Sequence, residues 1–179
     1  EGAPVLLSVG RLAAGERYKG HDRVIALLPR LRAELPGLRY RIVGDGDDRA
    51  RLVAMAAASG VGDAVEFAGH LPRERMAQEL RDAALFVMPS TGEGFGIAFV
   101  EALACGTPAL GLDEDGSRDA LGEGDLGNVC SQEGLFQAIV SGLARPVDRR
   151  LLAQRAADRF SRARFHAHVG ALVQEVLVA

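Results

Sequence analysis

The chain has 179 residues, of which 48% are hydrophobic and 25% charged, and its formal net charge is −3. This balance is that of a soluble globular domain with one substantial core, and the negative charge argues against a general nucleic-acid-binding protein. No apolar stretch is long enough to span a bilayer, no secretory signal is visible, and the two cysteines lack the spacing of a disulfide framework or a zinc site. The sequence does not begin with methionine, and we interpret it as a piece of a longer protein.

Short apolar runs alternate with longer segments of helical periodicity along the chain. Strands are predicted at residues 4–9, 40–43, 65–68, 84–88, 108–111 and 126–130. Helices are predicted at residues 22–35, 47–59, 73–83, 97–104, 135–143, 149–160 and 165–178. Pro29 lies inside the first helix, which it is expected to kink or divide. Strands that are continuously apolar are typical of a parallel sheet covered on both faces, so we predict a Rossmann-like, doubly wound α/β fold of about six strands.

Basic residues follow the first predicted strand, in the segment Gly10-Arg11-Leu12 and at Lys19. In open α/β sheets, ligands bind beyond the carboxyl ends of the strands, where the guanidinium fork of arginine and the point charge of lysine suit phosphate groups. The alternative is a solvated loop, which is the usual setting for such side chains. The loop lacks the second glycine of the dinucleotide-binding fingerprint, which argues against a dehydrogenase-type domain.

The stretch from Pro89 to Leu110, with the sequence PSTGEGFGIAFVEALACGTPAL, joins a strand, a glycine-rich loop and a helix. The amino end of such a helix attracts anions. Glu93 lies in the loop, and Glu101 follows eight residues later on the same helical face as Ile97, which we interpret as the apolar side. A carboxylate there needs a partner, so Glu101 is either a ligand-binding group, a satisfied buried acid or a sign that the helix is wrongly phased.

The loop Glu93-Gly-Phe-Gly96, the Glu-x7-Glu spacing to Glu101, and Gly106 and Pro108 closely resemble retaining glycosyltransferases of the GT-B type, of group 1 or family 4. The resemblance is to their carboxy-terminal, donor-binding half, and the other segments match in the same order over essentially the whole chain. It implies one nucleotide-sugar-binding domain over residues 1–179, with the amino-terminal acceptor domain absent from this chain.

The resemblance also implies roles for individual residues. Arg11 and Lys19 would clamp the donor diphosphate, Glu93 would hold hydroxyls of the sugar, and these three form the predicted catalytic group. Glu101 would bind the ribose hydroxyls, and the backbone of the segment after the third strand would contact the base. The remaining predicted donor-binding positions are Gly10, Gly44, Leu71, Arg73, Gly94, Phe95, Gly96, Ile97, Gly116 and Ser117. No metal is implied, and we interpret the acidic residues 113–115 as a solvated loop.

An enzyme is therefore expected, namely a retaining hexosyltransferase of glycan biosynthesis that takes a UDP- or GDP-linked sugar as substrate and needs no cofactor. A glycan, lipid or small-molecule acceptor, and any peripheral membrane contact, would bind through the missing domain, so the chain alone is expected to bind donor but transfer little. No nucleic-acid partner is expected, and the implied location is cytoplasmic, with the inner face of the membrane as an option. The alternatives are a nucleotide-sugar epimerase or phosphorylase of the same fold, and a catalytically degenerate nucleotide-binding module.

Overall fold

The computed structural model of the protein describes residues 2–178, except for the side chains of residues 123, 168, 172 and 175–178. The strands are β1 (Val5–Val9), β2 (Arg39–Val43), β3 (Val65–Gly69), β4 (Leu85–Met88), β5 (Ala109–Leu112) and β6 (Asn128–Cys130). The helices are α1 (His21–Glu34), α2 (Arg49–Ala58), α3 (Arg73–Asp82), α4 (Ile97–Ala104), α5 (Ser117–Ala120), α6 (Leu135–Ala144), α7 (Arg149–Phe160) and α8 (Arg162–Val178). Two 3₁₀ segments cover Ala14–Lys19 and Gly122–Gly124.

All six strands pair in parallel in one sheet of order β3-β2-β1-β4-β5-β6. The predicted fold class is confirmed, and each predicted strand and helix is present with small shifts of its ends. Because chain order reverses between β1 and β4, the loops that leave these two strands diverge and open a crevice at the carboxyl edge of the sheet. The fold therefore has its topological switch point between β1 and β4.

Neighbouring residues of each strand face opposite sides of the sheet, and each side has its own hydrophobic cluster. Leu6 packs with α1, α2 and α6 on one side, whereas Leu7 packs with α3, α4, α5 and α7 on the other. The same alternation separates Val87 from Phe86 in β4. Strands β1, β4 and β5 are thus buried on both faces, which explains why their sequences are almost continuously apolar.

Helix α1 continues through Pro29 without interruption, so the expectation that proline divides this segment is wrong. Pro29 is exposed, while Val24, Ile25, Leu28 and Leu31 form a fully buried stripe along the helix. Burial of these side chains on the sheet stabilises the helix by more than the single backbone hydrogen bond that proline removes. Within residues 2–178, no helix has both the length and the apolar character needed to cross a membrane.

Candidate functional site

An ion pair between Lys19 and Glu93 spans the crevice at the switch point. Lys19 ends the 3₁₀ segment that follows β1, and Glu93 lies in the loop that follows β4. The Nζ atom of Lys19 donates a hydrogen bond of 2.7 Å to Oε1 of Glu93, and the two side chains are only 13% and 14% exposed, respectively. Burial pulls the pKa of Lys19 down, but the hydrogen bond and charge of Glu93 outweigh burial and leave this pKa raised. The structure thus brings two of the three predicted catalytic residues into direct contact.

The loops that carry this pair are packed against each other through their backbones. Thr91 donates its backbone N–H to the carbonyl oxygen of Tyr18 at 3.0 Å, and the guanidinium of Arg23 donates to the carbonyl oxygen of Pro89. Gly20 has a φ of 77°, and a Cβ atom at this position would lie 2.2 Å from the carbonyl oxygen of Pro89. Only glycine allows this approach, and it fixes the loop of Lys19 against the loop of Glu93.

A buried polar chain anchors the residues that follow Lys19 to the sheet. The hydroxyl of Tyr40 in β2 lies 2.7 Å from Oγ of Ser8 in β1 and 3.3 Å from Nδ1 of His21, the first residue of α1. Oγ of Ser8 donates to the carbonyl oxygen of Val87 in β4. Burial and the charge of Lys19 lower the pKa of His21 to about 4, so its imidazole is neutral at physiological pH.

Arg11, the third predicted catalytic residue, joins the same cluster through Glu16. The guanidinium of Arg11 is paired with Oε1 of Glu16, although the arginine side chain is 80% exposed. Oε2 of Glu16 lies 3.6 Å from Nζ of Lys19, and Glu16 itself is 15% exposed. Sequence reasoning missed Glu16; its position three residues before Lys19, one turn of a helix, was the available signal.

The glycines after β1 and β2 form the floor beside this cluster. The N–H of Gly10 donates to the carbonyl oxygen of Val43 at 2.9 Å, and the N–H of Gly44 donates to that of Gly69 at 2.8 Å. The backbone of Gly44 lies against the carbonyl oxygen of Gly10, and Gly10 in turn lies beneath the methylene groups of Lys19. Gly10 therefore lies at the cavity beside Lys19, and Gly44 packs against Gly10, which brings the loops of β1 and β2 together.

The loop of Glu93 is fastened to the loop after β5 by Asp115. Oδ2 of Asp115 accepts the backbone N–H of Glu93 at 2.7 Å, and Oδ1 accepts the N–H of Ser117 at 2.8 Å together with the hydroxyl of Ser117. Although burial favours the neutral form, these hydrogen bonds keep the pKa of Asp115 below its ordinary value of 3.8. The interpretation of this acid as part of a solvated loop is wrong, and the sequence Asp-Gly-Ser, typical of an Asx turn, was the signal that could have shown it.

Gly116 and Ser117 take part in the same fastening. The N–H of Gly116 donates to the carbonyl oxygen of Glu93 at 3.0 Å, and a Cβ atom on Gly116 would lie 2.1 Å from the carbonyl oxygen of Gly94. Ser117 is fully buried, and its hydroxyl is bonded to Asp115. These two predicted donor-binding residues therefore hold the glycine-rich loop in place.

A cavity of about 410 Å³ lies above the ends of β1 and β4 and against the amino end of α4. It is lined by Val9, Gly10, Lys19, Met88, Glu93, Phe95, Gly96, Ile97 and Ala98. Phe95 is 39% exposed and packs edge-on against Phe160 of α7 with 6.0 Å between ring centroids, and Ile97 is 69% exposed. The cavity thus combines a charged end at Lys19 and Glu93 with an apolar end at the start of α4.

Glu101 lies on the exposed face of α4, and the interpretation of that face as the apolar side is wrong. The buried face of the helix carries Phe99, Ala102 and Leu103. Glu101 shares the open face with Ile97, which lines the cavity, but Glu101 itself does not line it. Its carboxylate is therefore neither a buried acid nor a member of the Lys19–Glu93 cluster, and it is open to a ligand that extends out of the cavity.

Leu71 and Arg73 lie at the same edge of the sheet but outside the cavity. Leu71 follows the edge strand β3 and packs on the hydrophobic cluster of α3, α4, α5 and α7, while Arg73 is exposed at the start of α3. Two strands, β2 and β1, separate their loop from that of Glu93. A ligand that contacted both loops would have to extend across the carboxyl ends of β1 and β2.

Comparison with known proteins places the chain in a family. Residues 1–162 match the family model of glycosyl transferases group 1. A glycogen synthase of Mycobacterium tuberculosis is 37% identical over 163 residues, which cover 89% of this chain and 39% of that protein. A GDP-mannose-dependent alpha-(1-6)-phosphatidylinositol monomannoside mannosyltransferase of Mycolicibacterium smegmatis is 33% identical over 133 residues, covering 70% of this chain and 34% of that protein.

The same relationship is seen in three dimensions. A sucrose-phosphate synthase from Thermosynechococcus elongatus superposes with a TM-score of 0.81 at 26% identity, over 98% of this chain and 46% of that chain. The chain thus spans less than half the length of each of these relatives. The match over residues 1–162 and the six-stranded parallel sheet confirm the resemblance seen in the sequence: the chain belongs to the group 1 glycosyltransferases, with the Rossmann-like domain of the GT-B fold.

Proposed function

We propose that the chain is the donor-binding domain of a glycosyltransferase that moves a hexosyl group from a nucleoside-diphosphate sugar to an acceptor with retention of anomeric configuration. The observation that carries the proposal is the Lys19–Glu93 pair across the switch point of the sheet. In open α/β folds this is where nucleotides bind. The pair supplies a cation for phosphate and a carboxylate for hydroxyl groups at the two sides of one cavity.

The diphosphate is assigned to the cationic side of the cavity, with Lys19 and Arg11 as its partners. As the bond between sugar and diphosphate breaks, negative charge grows on the leaving phosphate, and fixed cations that face it lower the barrier. The backbone N–H groups at the amino end of α4 add to this stabilisation. Glu93 is assigned to the sugar hydroxyls, because both its oxygens accept hydrogen bonds and the loop that carries it is held by Asp115.

The nucleoside is assigned to the open surface beyond the cavity. Glu101, exposed on α4, would accept hydrogen bonds from the ribose hydroxyls, while the loop of Leu71 and Arg73 would contact the base. The name of the mycolicibacterial relative specifies GDP-mannose as its donor, which supports a nucleotide sugar as the class of substrate. Acceptor binding is proposed to need a further domain, since the chain spans 39% and 34% of the lengths of its two curated relatives.

The test is calorimetric titration of the chain with UDP, GDP and ADP. We expect one of the three nucleotides to bind selectively, and we expect Glu101→Ala to weaken that binding about tenfold, because two hydrogen bonds to a carboxylate are lost. Glu34→Ala is the matched control, since Glu34 is an exposed glutamate at the far end of α1, on the amino edge of the sheet.

Two outcomes would contradict the proposal. One is the absence of binding for all three nucleotides, and the other is equal binding of all three with no difference between Glu101→Ala and Glu34→Ala. Transfer to an acceptor by the 179-residue chain alone, at the rate of a complete glycosyltransferase, would contradict the part of the proposal that assigns acceptor binding to a further domain.

A further inference from the structure

Four charged side chains form one alternating chain along the crevice, in the order Arg11, Glu16, Lys19, Glu93. Glu16 contacts both cations, one with each carboxylate oxygen, and Glu93 contacts Lys19 only. Two positive and two negative formal charges sum to zero. The proposed phosphate clamp is therefore electrically neutral before any donor arrives.

A neutral clamp attracts a diphosphate poorly, so one of the two carboxylates has to give way when the donor binds. Glu93 is held through its backbone by Asp115 and, under the proposed function, stays to bind the sugar. Glu16 has the opposite setting, because its segment Ala14–Lys19 contains no buried residue and Glu16 is the one residue there with non-helical backbone angles, φ −116° and ψ 26°. Its side chain can leave the cluster without disturbing the hydrophobic core.

We infer that Glu16 is the resident counter-ion of the clamp: its carboxylate occupies, between Arg11 and Lys19, the place that a phosphate oxygen of the donor takes, and the donor binds by displacing it. This inference rests on the proposed function, since it assigns the diphosphate to Arg11 and Lys19. It makes Glu16 a positioning residue that acts through the two cations. Without donor, Glu16 forms an ion pair with both Arg11 and Lys19 and holds the two cations close together. Only a ligand with enough negative charge can compete with its carboxylate for these two cations.

The test uses inorganic pyrophosphate, which has the charge of the donor diphosphate but neither base nor sugar. Binding to the wild-type chain is compared by calorimetry with binding to Glu16→Gln and to Glu34→Gln, the control that removes the same charge at the far edge of the sheet. We expect Glu16→Gln to bind pyrophosphate about two- to fivefold more tightly than wild type, the range for removal of a part-exposed competing ion pair, and Glu34→Gln to match wild type.

A double-mutant cycle separates competition at the clamp from a general effect of charge. In the Lys19→Gln background the competing pair between Glu16 and Lys19 is already absent, so adding Glu16→Gln is expected to give a clearly smaller gain in pyrophosphate affinity. An equal gain in both backgrounds would show that Glu16 acts by long-range repulsion and would overturn the inference.

The remaining outcomes are also decisive. Pyrophosphate affinity of Glu16→Gln that equals or falls below that of Glu34→Gln overturns the inference, and so does a lack of pyrophosphate binding to both wild type and Glu16→Gln. If Glu16→Gln does not fold, Glu16→Asp replaces it. Its shorter carboxylate cannot contact both cations, so a smaller gain over wild type is expected and a loss overturns the inference.

The proposed function can fail separately. A gain with pyrophosphate, combined with no selectivity among UDP, GDP and ADP and no effect of Glu101→Ala, would retain the role of Glu16 and reject the nucleotide-sugar site. Selective nucleotide binding that depends on Glu101, combined with no gain in pyrophosphate affinity in Glu16→Gln, would retain the nucleotide-sugar site and reject the role of Glu16.

Discussion

Replacing Asp115 by Asn is predicted to loosen the loop of Glu93. The two side chains have nearly the same shape, but the carboxylate accepts the N–H of Glu93 with one oxygen and the N–H and hydroxyl of Ser117 with the other. An amide has one oxygen and one NH₂ group, so in either orientation it faces at least one backbone N–H with a donor. That N–H loses its partner.

The expected loss of stability follows from this one N–H group without an acceptor. One part-buried N–H left without an acceptor costs about 1 to 3 kcal/mol of unfolding free energy. In a domain of this size each kcal/mol lowers the melting temperature by about 2 to 4 °C, so Asp115→Asn should melt about 2 to 12 °C below wild type at pH 7. Glu114→Gln is the matched control, because it removes the same charge from the exposed neighbouring residue.

The assay is thermal unfolding followed by circular dichroism, repeated across pH. The folded pKa of Asp115 lies below the ordinary 3.8, so its contribution to stability is complete above that value and is lost as pH falls through the folded pKa. The gap in melting temperature between wild type and Asp115→Asn should therefore be constant from pH 8 to about pH 5 and narrow below about pH 4. Equal melting of Asp115→Asn and Glu114→Gln at pH 7, or a gap that persists unchanged in strong acid, would refute the role assigned to Asp115.

Two further changes probe the anchoring of Lys19. The unfolded chain protonates His21 near pH 6.5 while the folded chain resists until about pH 4, so stability should fall by about 2 to 3 kcal/mol between pH 7 and 4.5. Measured by denaturant unfolding at each pH, this fall in stability should be smaller in His21→Gln and unchanged in His70→Gln, which alters an exposed histidine. An equal fall in the two variants would contradict the prediction. Gly20→Ala should lower the free energy of unfolding by about 2 to 4 kcal/mol and weaken pyrophosphate binding. The alanine would have to adopt a left-handed backbone conformation, and its methyl group would clash with Pro89. Gly15→Ala, at a glycine with open space around it, should do neither, and equal behaviour of the two alanine variants would show that the contact with Pro89 is unimportant.

The sheet could be predicted because its information is local. Each strand is an apolar run closed by glycine, proline or a polar residue, and α4 is bounded by Gly96 and by the pair Gly106 and Pro108, so its predicted and observed limits agree. The rule that ligands bind beyond the carboxyl ends of parallel strands placed Lys19 at the edge of the sheet, but the hydrogen bond between Lys19 and Glu93, 74 positions apart, was not predicted.

The phase of α4 could not be predicted from its sequence. The helix has only eight residues, and seven of them are apolar. Apolar side chains therefore lie on all its faces, and periodicity does not single out the buried one. Packing decides it: Phe99 enters the core, where its ring lies 5.4 Å from that of Phe86, and Ile97 is left at the cavity. Glu101 follows Ile97 to the open side.

Sequence reasoning missed the contacts of two carboxylates at the crevice, Glu16 and Asp115, for a different reason. Acidic residues in loops mostly face water, and the local signals here, the spacing of Glu16 from Lys19 and the Asp-Gly-Ser sequence at Asp115, do not identify a partner in a distant loop. The contact between Asp115 and Glu93 joins residues 22 positions apart and depends on the register of β4 beside β5. Such contacts become visible only once the sheet has been assembled.

Several contacts between the loops around the crevice are made by backbone atoms alone: Thr91 to Tyr18, Gly44 to Gly69, Gly116 to Glu93. Side chains that line the cavity, such as Met88 and Phe95, are not needed for that framework of loop contacts. The frame of the crevice and much of its lining are therefore encoded by different positions, although Gly10, Lys19 and Glu93 contribute to both. A chain built in this way can change the shape of its cavity by substitution at the lining, while the glycines and the Asp115 contact keep the loops where they are.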